Sequence, residues 1–271
     1  MTVGFAQTFP LDTAILSKAL TGFLSEPKMS KEGQMSKLGI GIQAVEGYTR
    51  WLSIIGLRDS AKKELTALGK LITKYDPQLQ QIGTMWILHY RLSSDPSPQG
   101  AEAWYHFVNR FLHDHTRFTR LELKQSLEKE SGISTRNRKG PAIDLGLILN
   151  CYTPQRALGR LGIIQLADRK AQLYQRGFSQ SVPPLIVAYV LYDQREKLYP
   201  ESTTVSIQEL ITAGGNICKV FIMGKEQLEG SLAYLQASAY VRVLSFADLN
   251  HIEFLHRGSS LDLLVKFYEN Y

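Results

Sequence analysis

Cysteine is scarce: the 271 residues hold two, Cys151 and Cys218, each inside an apolar pattern and neither in a short-spaced pair. That argues against a disulfide framework or a thiolate zinc site and leaves two buried free thiols as the expectation. Long apolar runs are missing too. The longest nearly apolar stretch, residues 182–192, contains two prolines and falls short of the roughly 18 residues a membrane-spanning helix needs. The opening residues 1–9 show no basic stretch leading into an apolar core and no small-residue cleavage site. No secretory signal is read there, and a cytoplasmic location away from membranes is expected. Phosphate-loop chemistry is also lacking. Gly39-x-Gly41 has no third glycine, no Lys-Ser/Thr and no preceding apolar strand, so it reads as a tight turn between the two helices of a helix-turn-helix. No cofactor is implied.

What is present is ordinary globular composition, 44% hydrophobic and 21% charged, in a chain long enough for two or three domains of about 100 residues. The net charge of +6 is unevenly spread. Up to residue 180 there are 24 Lys and Arg against 15 Asp and Glu; beyond it there are 7 against 10. A basic front and an acidic rear suggest that the first two-thirds faces a polyanion.

One order of elements, a helix followed by a two-stranded hairpin, recurs three times. In the first copy, residues 43–55 place Val45, Tyr48, Leu52 and Ile55 on one face of a helix that Gly56 ends. A strand at Leu57-Arg58, a polar turn with Lys62 and Lys63, and a return at 64–66 then form a basic wing. In the second, Thr119 and Glu122 have capping-box spacing for a helix to about residue 130. A further helix at 141–152 starts on Pro141, and a hairpin at 160–166 and 171–176 turns through Arg169 and Lys170. In the third, helices at 185–198, from Ser206, and at 225–239 precede strands at 241–246 and 251–255, whose tip at 247–250 has no basic residue. Ser259 or Ser260 caps a closing helix at 261–268. Helices followed by a wing are the arrangement of winged helix-turn-helix domains. Between the first two copies, Trp86, Trp104 and their aromatic neighbours recur at helical spacing and read as a connecting core rather than a base-stacking platform.

These segments resemble a bacterial family of unknown function whose members occur with genes for DNA phosphorothioation (Ssp- and Dnd-type) and phage defence. The carriers are residues 5–11, 38–45, 48–51, 68–72, Asp76-Pro77-Gln78-Leu79 and the run 84–90, the last two being the most specific. On these residues the chain resembles a divergent member. The family usually has His-Glu where Ala6 and Gln7 stand here, Lys-Asn in place of Ile42 and Gln43, and Arg-Tyr-Gly-Trp in place of residues 12–15. The resemblance implies a component of a DNA sulfur-modification system, one branch of which nicks DNA.

A nicking enzyme needs a metal site or an activated nucleophile. The only dense candidate is His106 with His113-Asp114-His115, but adjacent residues on a helix diverge, so ordinary helix-end polar residues are the expected reading and no catalytic residue is assigned. The basic residues make the stronger case. The expected fold is mainly α with small β-hairpins: tandem winged helix-turn-helix units joined by a helical core. The domains are read as 1–80, a helical connector at 81–115, a basic second unit at 116–180 and an acidic third at 181–271. Duplex DNA is the expected partner, met by Gln43, Arg50, Lys62, Lys63, Arg136, Arg138, Lys139, Arg156, Arg160, Arg169 and Lys170. The acidic unit is left for protein partners of a DNA-modification complex. The alternatives are a DNA-nicking endonuclease and a winged-helix transcription regulator, for which a homodimer is the expected state.

Overall fold

The computed structural model describes residues 9–97, 101–131, 139–153, 157–177, 179–246 and 249–270. The chain is mainly helical with small antiparallel sheets and divides into two compact units, Met1–Gln180 and Ser181–Tyr271. Among the described residues no helix is long and apolar enough to cross a membrane.

The first unit opens with α1 (Thr13–Ser25), α2 (Lys31–Leu38) and α3 (Ile42–Ile54). Side-chain oxygens start the first two: Asp12 accepts from the N–H groups of Ala14 and Ile15, and Ser30 from that of Gly33. Gly39 ends α2 at φ 67, a left-handed angle that lacks a steric penalty only without a Cβ, and Gly41 is already the residue before α3. The turn is thus three residues long. Helix α3 buries Val45, Tyr48, Trp51 and Leu52, the stripe that its spacing implies. A short hairpin follows, β1 (Arg58–Asp59) against β2 (Glu64–Leu65), then α4 (Ala67–Tyr75). Helix α4 lies directly on the residue that leads into β1: a Cβ at Gly69 would stand 2.1 Å from the Leu57 carbonyl oxygen.

Next come α5 (Ile82–Ser93) and α6 (Glu102–His106), the latter passing through a π-helical turn at Phe107–Phe111 into α7 (Leu112–Asp114). Helix α5 is buried on nearly every side. Trp51, Trp86 and Trp104 are fully buried, with Trp51 edge-on to Trp104 at 5.5 Å, so the aromatic segment and the first three helices share one core. The unit ends with β3 (Arg117–Thr119), α8 (Arg120–Ser131), α9 (Lys139–Tyr152), a 3-10 turn at Leu158–Leu161, β4 (Ile164–Asp168) and β5 (Leu173–Arg176). The sheet order is β3-β5-β4. The capping box is present: the Glu122 carboxylate accepts from the Thr119 N–H at 2.6 Å and the Thr119 hydroxyl from the Glu122 N–H at 3.3 Å. Strand β3, absent from the sequence reading, is too short to show alternation and exists because Arg117 to Thr119 pair with Leu173 to Gln175.

The second unit contains α10 (Pro184–Leu198), β6 (Thr204–Ser206), α11 (Ile207–Thr212), α12 (Ile217–Val220), α13 (Lys225–Ala237), β7 (Val241–Phe246), β8 (Leu249–Phe254) and α14 (Ser260–Glu269). Its sheet order is β6-β8-β7, so the first strand again pairs with the last. Strand β8 begins two residues earlier than its polar start suggests, because Phe246 and Leu249 pair across the turn. Ser259 caps α14 by accepting from the Asp262 N–H. Ser260 instead donates its hydroxyl to Glu196 on α10. Both cysteines are free and buried, and burial pushes the Cys151 thiol up to about 12 and the Cys218 thiol to about 11.

Candidate nucleic-acid interface

Both hairpins of the first unit turn by the same device. The Asp59 carboxylate accepts from the N–H groups of Ala61 and Lys62, after which Lys63 takes φ 58. The Asp168 carboxylate accepts from those of Lys170 and Ala171, after which Gln172 takes φ 47. An aspartate bonded to backbone two and three residues ahead closes such a turn locally. The consequence is that Lys62 and Lys63 at one tip, and Arg169 and Lys170 at the other, stand exposed on a fixed backbone. The N–H of Lys62 is the main cause holding the Asp59 carboxyl below its ordinary value.

The other expected residues are placed variously. Gln43, in the first turn of α3, and Arg50, seven residues on, are both exposed and share a helix face. Lys139 starts α9. Arg136, Arg138 and Arg156 lie outside the described residues. Arg160 is committed inside the fold: its guanidinium donates to the carbonyls of Leu79, at 3.3 Å, and Gln80, bracing the 3-10 turn against the loop before α5. Arg176 likewise donates to the Leu112 carbonyl at 3.3 Å.

Sequence reasoning missed a groove of about 540 Å³ formed by α2, α3 and the β1–β2 hairpin. It collects Arg50 and Lys63 from the expected set and adds Lys28, Lys31 and Arg58, with Glu46 as its acid. Lys31 bonds Glu46 at 2.6 Å, and that bond and its charge hold the Glu46 carboxyl below the usual value, with Arg50 helping. Arg58 is only 9% exposed. Its guanidinium lies 4.5 Å over the Phe23 ring and donates through Nη2 to the Lys63 carbonyl at 3.3 Å, while its Nε has no hydrogen-bond partner. Burial lowers the Arg58 pKa, opposed by the charge of Asp59. No sequence signal marks Arg58 as buried, since the strand is two residues long and shows no period.

The histidine cluster is dispersed. His106 is buried and shares a 2.7 Å hydrogen bond with Ser126, whereas His115 stacks on Phe111 at 4.2 Å. Among the described residues no three His, Cys, Asp or Glu side chains gather as metal ligands.

A family model described as a protein of unknown function, DUF4007, matches residues 5–268. The chain belongs to that family. Two solved structures share the fold of this DUF4007 chain, an SspB crystal structure and a second one of magnesium-bound SspB. Each is 20% identical, with a TM-score of 0.82 over 99% of this chain and 88% of SspB. No curated protein sequence matches. At that identity the likeness to SspB speaks for the fold alone.

Proposed function

We propose that the chain is the DNA-binding component of a DNA phosphorothioate-modification or phage-defence system, contacting duplex DNA through the basic helices and hairpins of its first unit. The observation that carries this reading is the pair of aspartate-closed tips, each presenting two exposed cations. In winged helix-turn-helix domains the second helix of the turn enters the major groove and the wing reaches backbone phosphates. The order helix, strand, helices, hairpin from α6 to β5, with α8 and α9 between strand and hairpin, and from α10 to β8, with α11, α12 and α13 there, fits that plan. So does α2, the Gly39–Gly41 turn, α3 and its hairpin, which would put Gln43 and Arg50 toward the groove and Lys62 and Lys63 on the phosphates.

The place in such a system rests on the sequence resemblance, on DUF4007 membership and on the fold shared with SspB. The acidic second unit is assigned to protein partners. The test is titration of the purified chain against a fluorescent duplex over a range of salt. Affinity should fall steeply as salt rises, because each phosphate neutralised releases counterions. Binding indifferent to salt, or none at low salt, would remove the proposal.

A further inference from the structure

We infer that the groove between α2, α3 and the β1–β2 hairpin is a seat for a phosphoryl group carried by a nucleotide or a nucleic acid, with Arg58 as its buried donor. This inference does not depend on duplex binding, since a free nucleotide would satisfy it equally.

Three features distinguish the groove from a solvated basic face. The first is Arg58 itself. The residue is nine-tenths buried, its guanidinium carbon lies 4.5 Å from the centre of the Phe23 ring, and one amino group donates to the Lys63 carbonyl. The Nε–H has no acceptor in the protein, which is costly for a buried donor and leaves the guanidinium short of one hydrogen bond at the groove wall. The second is charge. Five cations line the groove against one carboxylate, and Lys31 already neutralises Glu46, so the remaining field favours a multiply charged anion. The third is shape. At about 540 Å³ there is room for more than one oxyanion, so the sugar or a second phosphate of a nucleotide fits behind the group that Arg58 holds. A phosphoryl group answers all three, because it offers several acceptor oxygens to a guanidinium fork and to surrounding ammonium groups at once.

Hydroxyl and amide groups already in the wall are internally bonded: Thr49 donates to Gln34, Gln34 to the Met29 carbonyl, and Ser60 to Ser53. They hold the wall in shape without competing for Arg58. The hairpin contributes to the seat through Ser60 and Lys63, and its turn is closed by Asp59 independently of any ligand. The groove is thus already formed.

The experiment is calorimetric titration of the full chain at low ionic strength with inorganic phosphate, then with ATP, then with a short duplex in the presence of phosphate. Saturable 1:1 uptake of phosphate is expected, weakened about tenfold in Arg58→Gln, the scale of losing one charge-assisted bond. Because Arg58 is buried and its replacement can disturb folding, Lys31→Gln combined with Lys63→Gln is the second variant. Both sites are exposed, and this variant should also weaken uptake while melting like the parent. Arg169→Gln with Lys170→Gln, at the other hairpin, should leave it unchanged. Displacement of phosphate by ATP assigns the seat to a free nucleotide, and displacement by duplex assigns it to nucleic acid backbone; either supports the inference. No saturable phosphate uptake overturns it. So does displacement by neither competitor, or equal weakening by the changes at 169 and 170.

Discussion

Residues 102–176 and 184–254 both run helix, strand, helices, hairpin, with two α-helices before the hairpin in the first and three in the second, and they share one strand order, the first strand pairing with the last, yet they differ in charge and in what their charges do. The earlier stretch carries 13 Lys and Arg against 7 Asp and Glu, the later one 5 against 8. In the later stretch the cations are answered locally: Lys197 bonds Asp193 at 2.6 Å, Lys225 faces Glu229 at 3.7 Å and Arg242 meets Glu253 across the β7–β8 hairpin at 3.0 Å. In the earlier one Arg110 bonds Glu130 and Lys124 faces Glu128 at 3.6 Å, but Arg169 and Lys170 stand exposed at the tip. The same scaffold can therefore offer charge outward or balance it within itself, and only the first arrangement leaves a field for a polyanion.

The largest effect that tests this contrast is on DNA affinity. Replacing Arg136, Arg138, Lys139, Arg169 and Lys170 by Ala should weaken binding to every duplex and flatten the log–log salt slope by up to about five phosphate-equivalents. The same change at Arg195, Lys197, Lys219, Lys225 and Arg242 removes equal charge and should do little. Equal weakening by both sets would mean that net charge, not a localised face, drives binding.

Glycines mark a second difference. Gly69→Ala forces a methyl onto the Leu57 carbonyl and should cost about 1–3 kcal/mol in chemical unfolding. Gly230, in α13, has nothing within 4 Å of an added Cβ, so Gly230→Ala should stabilise by about 0.5–1 kcal/mol through helix propensity. A destabilised Gly230→Ala protein would contradict the open space there.

Thr119 and Ser206 hold the same place, last in the first strand and just ahead of a helix. Thr119 makes a reciprocal cap with Glu122, whereas the Ser206 side chain makes no cap bond. Thr119→Ala should therefore cost about 1 kcal/mol and Ser206→Ala less than about 0.5 kcal/mol, as compared by thermal melting. Matching losses would erase the distinction.

The smallest effect is on pH. Burial lowers the His106 pKa below 6.5, more than Glu130 raises it, and Arg110 lowers it further. The unfolded chain then binds the proton first, so stability is full above the ordinary histidine value and is lost as pH falls below it. The melting temperature of the parent should drop between about pH 7.5 and 5.5 by more than that of His106→Gln; parallel curves would show that His106 stays accessible to protons.

Much of this was legible in the residues because it is local. The stripe of α3, the spacing of Thr119 and Glu122, the helix read over 185–198 and the basic turns read at 59–63 and 167–170 all depend on neighbours a few positions apart. The strands β3 and β6 were not legible. Each is three residues long and exists only because a strand about 50 residues later offers its edge. Arg160 was expected to face DNA, and nothing near it in sequence marks the carbonyls of Leu79 and Gln80 that hold it.

By itself, then, the sequence determined the helices, the hairpin turns and the asymmetry of charge, since periodicity, capping and composition act over short distances. Tertiary structure alone decided which cations stay outward, which become braces, and that Arg58 lies buried over Phe23 facing a groove with Lys28, Lys31, Arg50 and Lys63. The physical reason is that the burial of Arg58 and the bracing of Arg160 depend on distant partners, 35 residues between Phe23 and Arg58 and about 80 between Arg160 and its carbonyls, and only a closed chain brings those together.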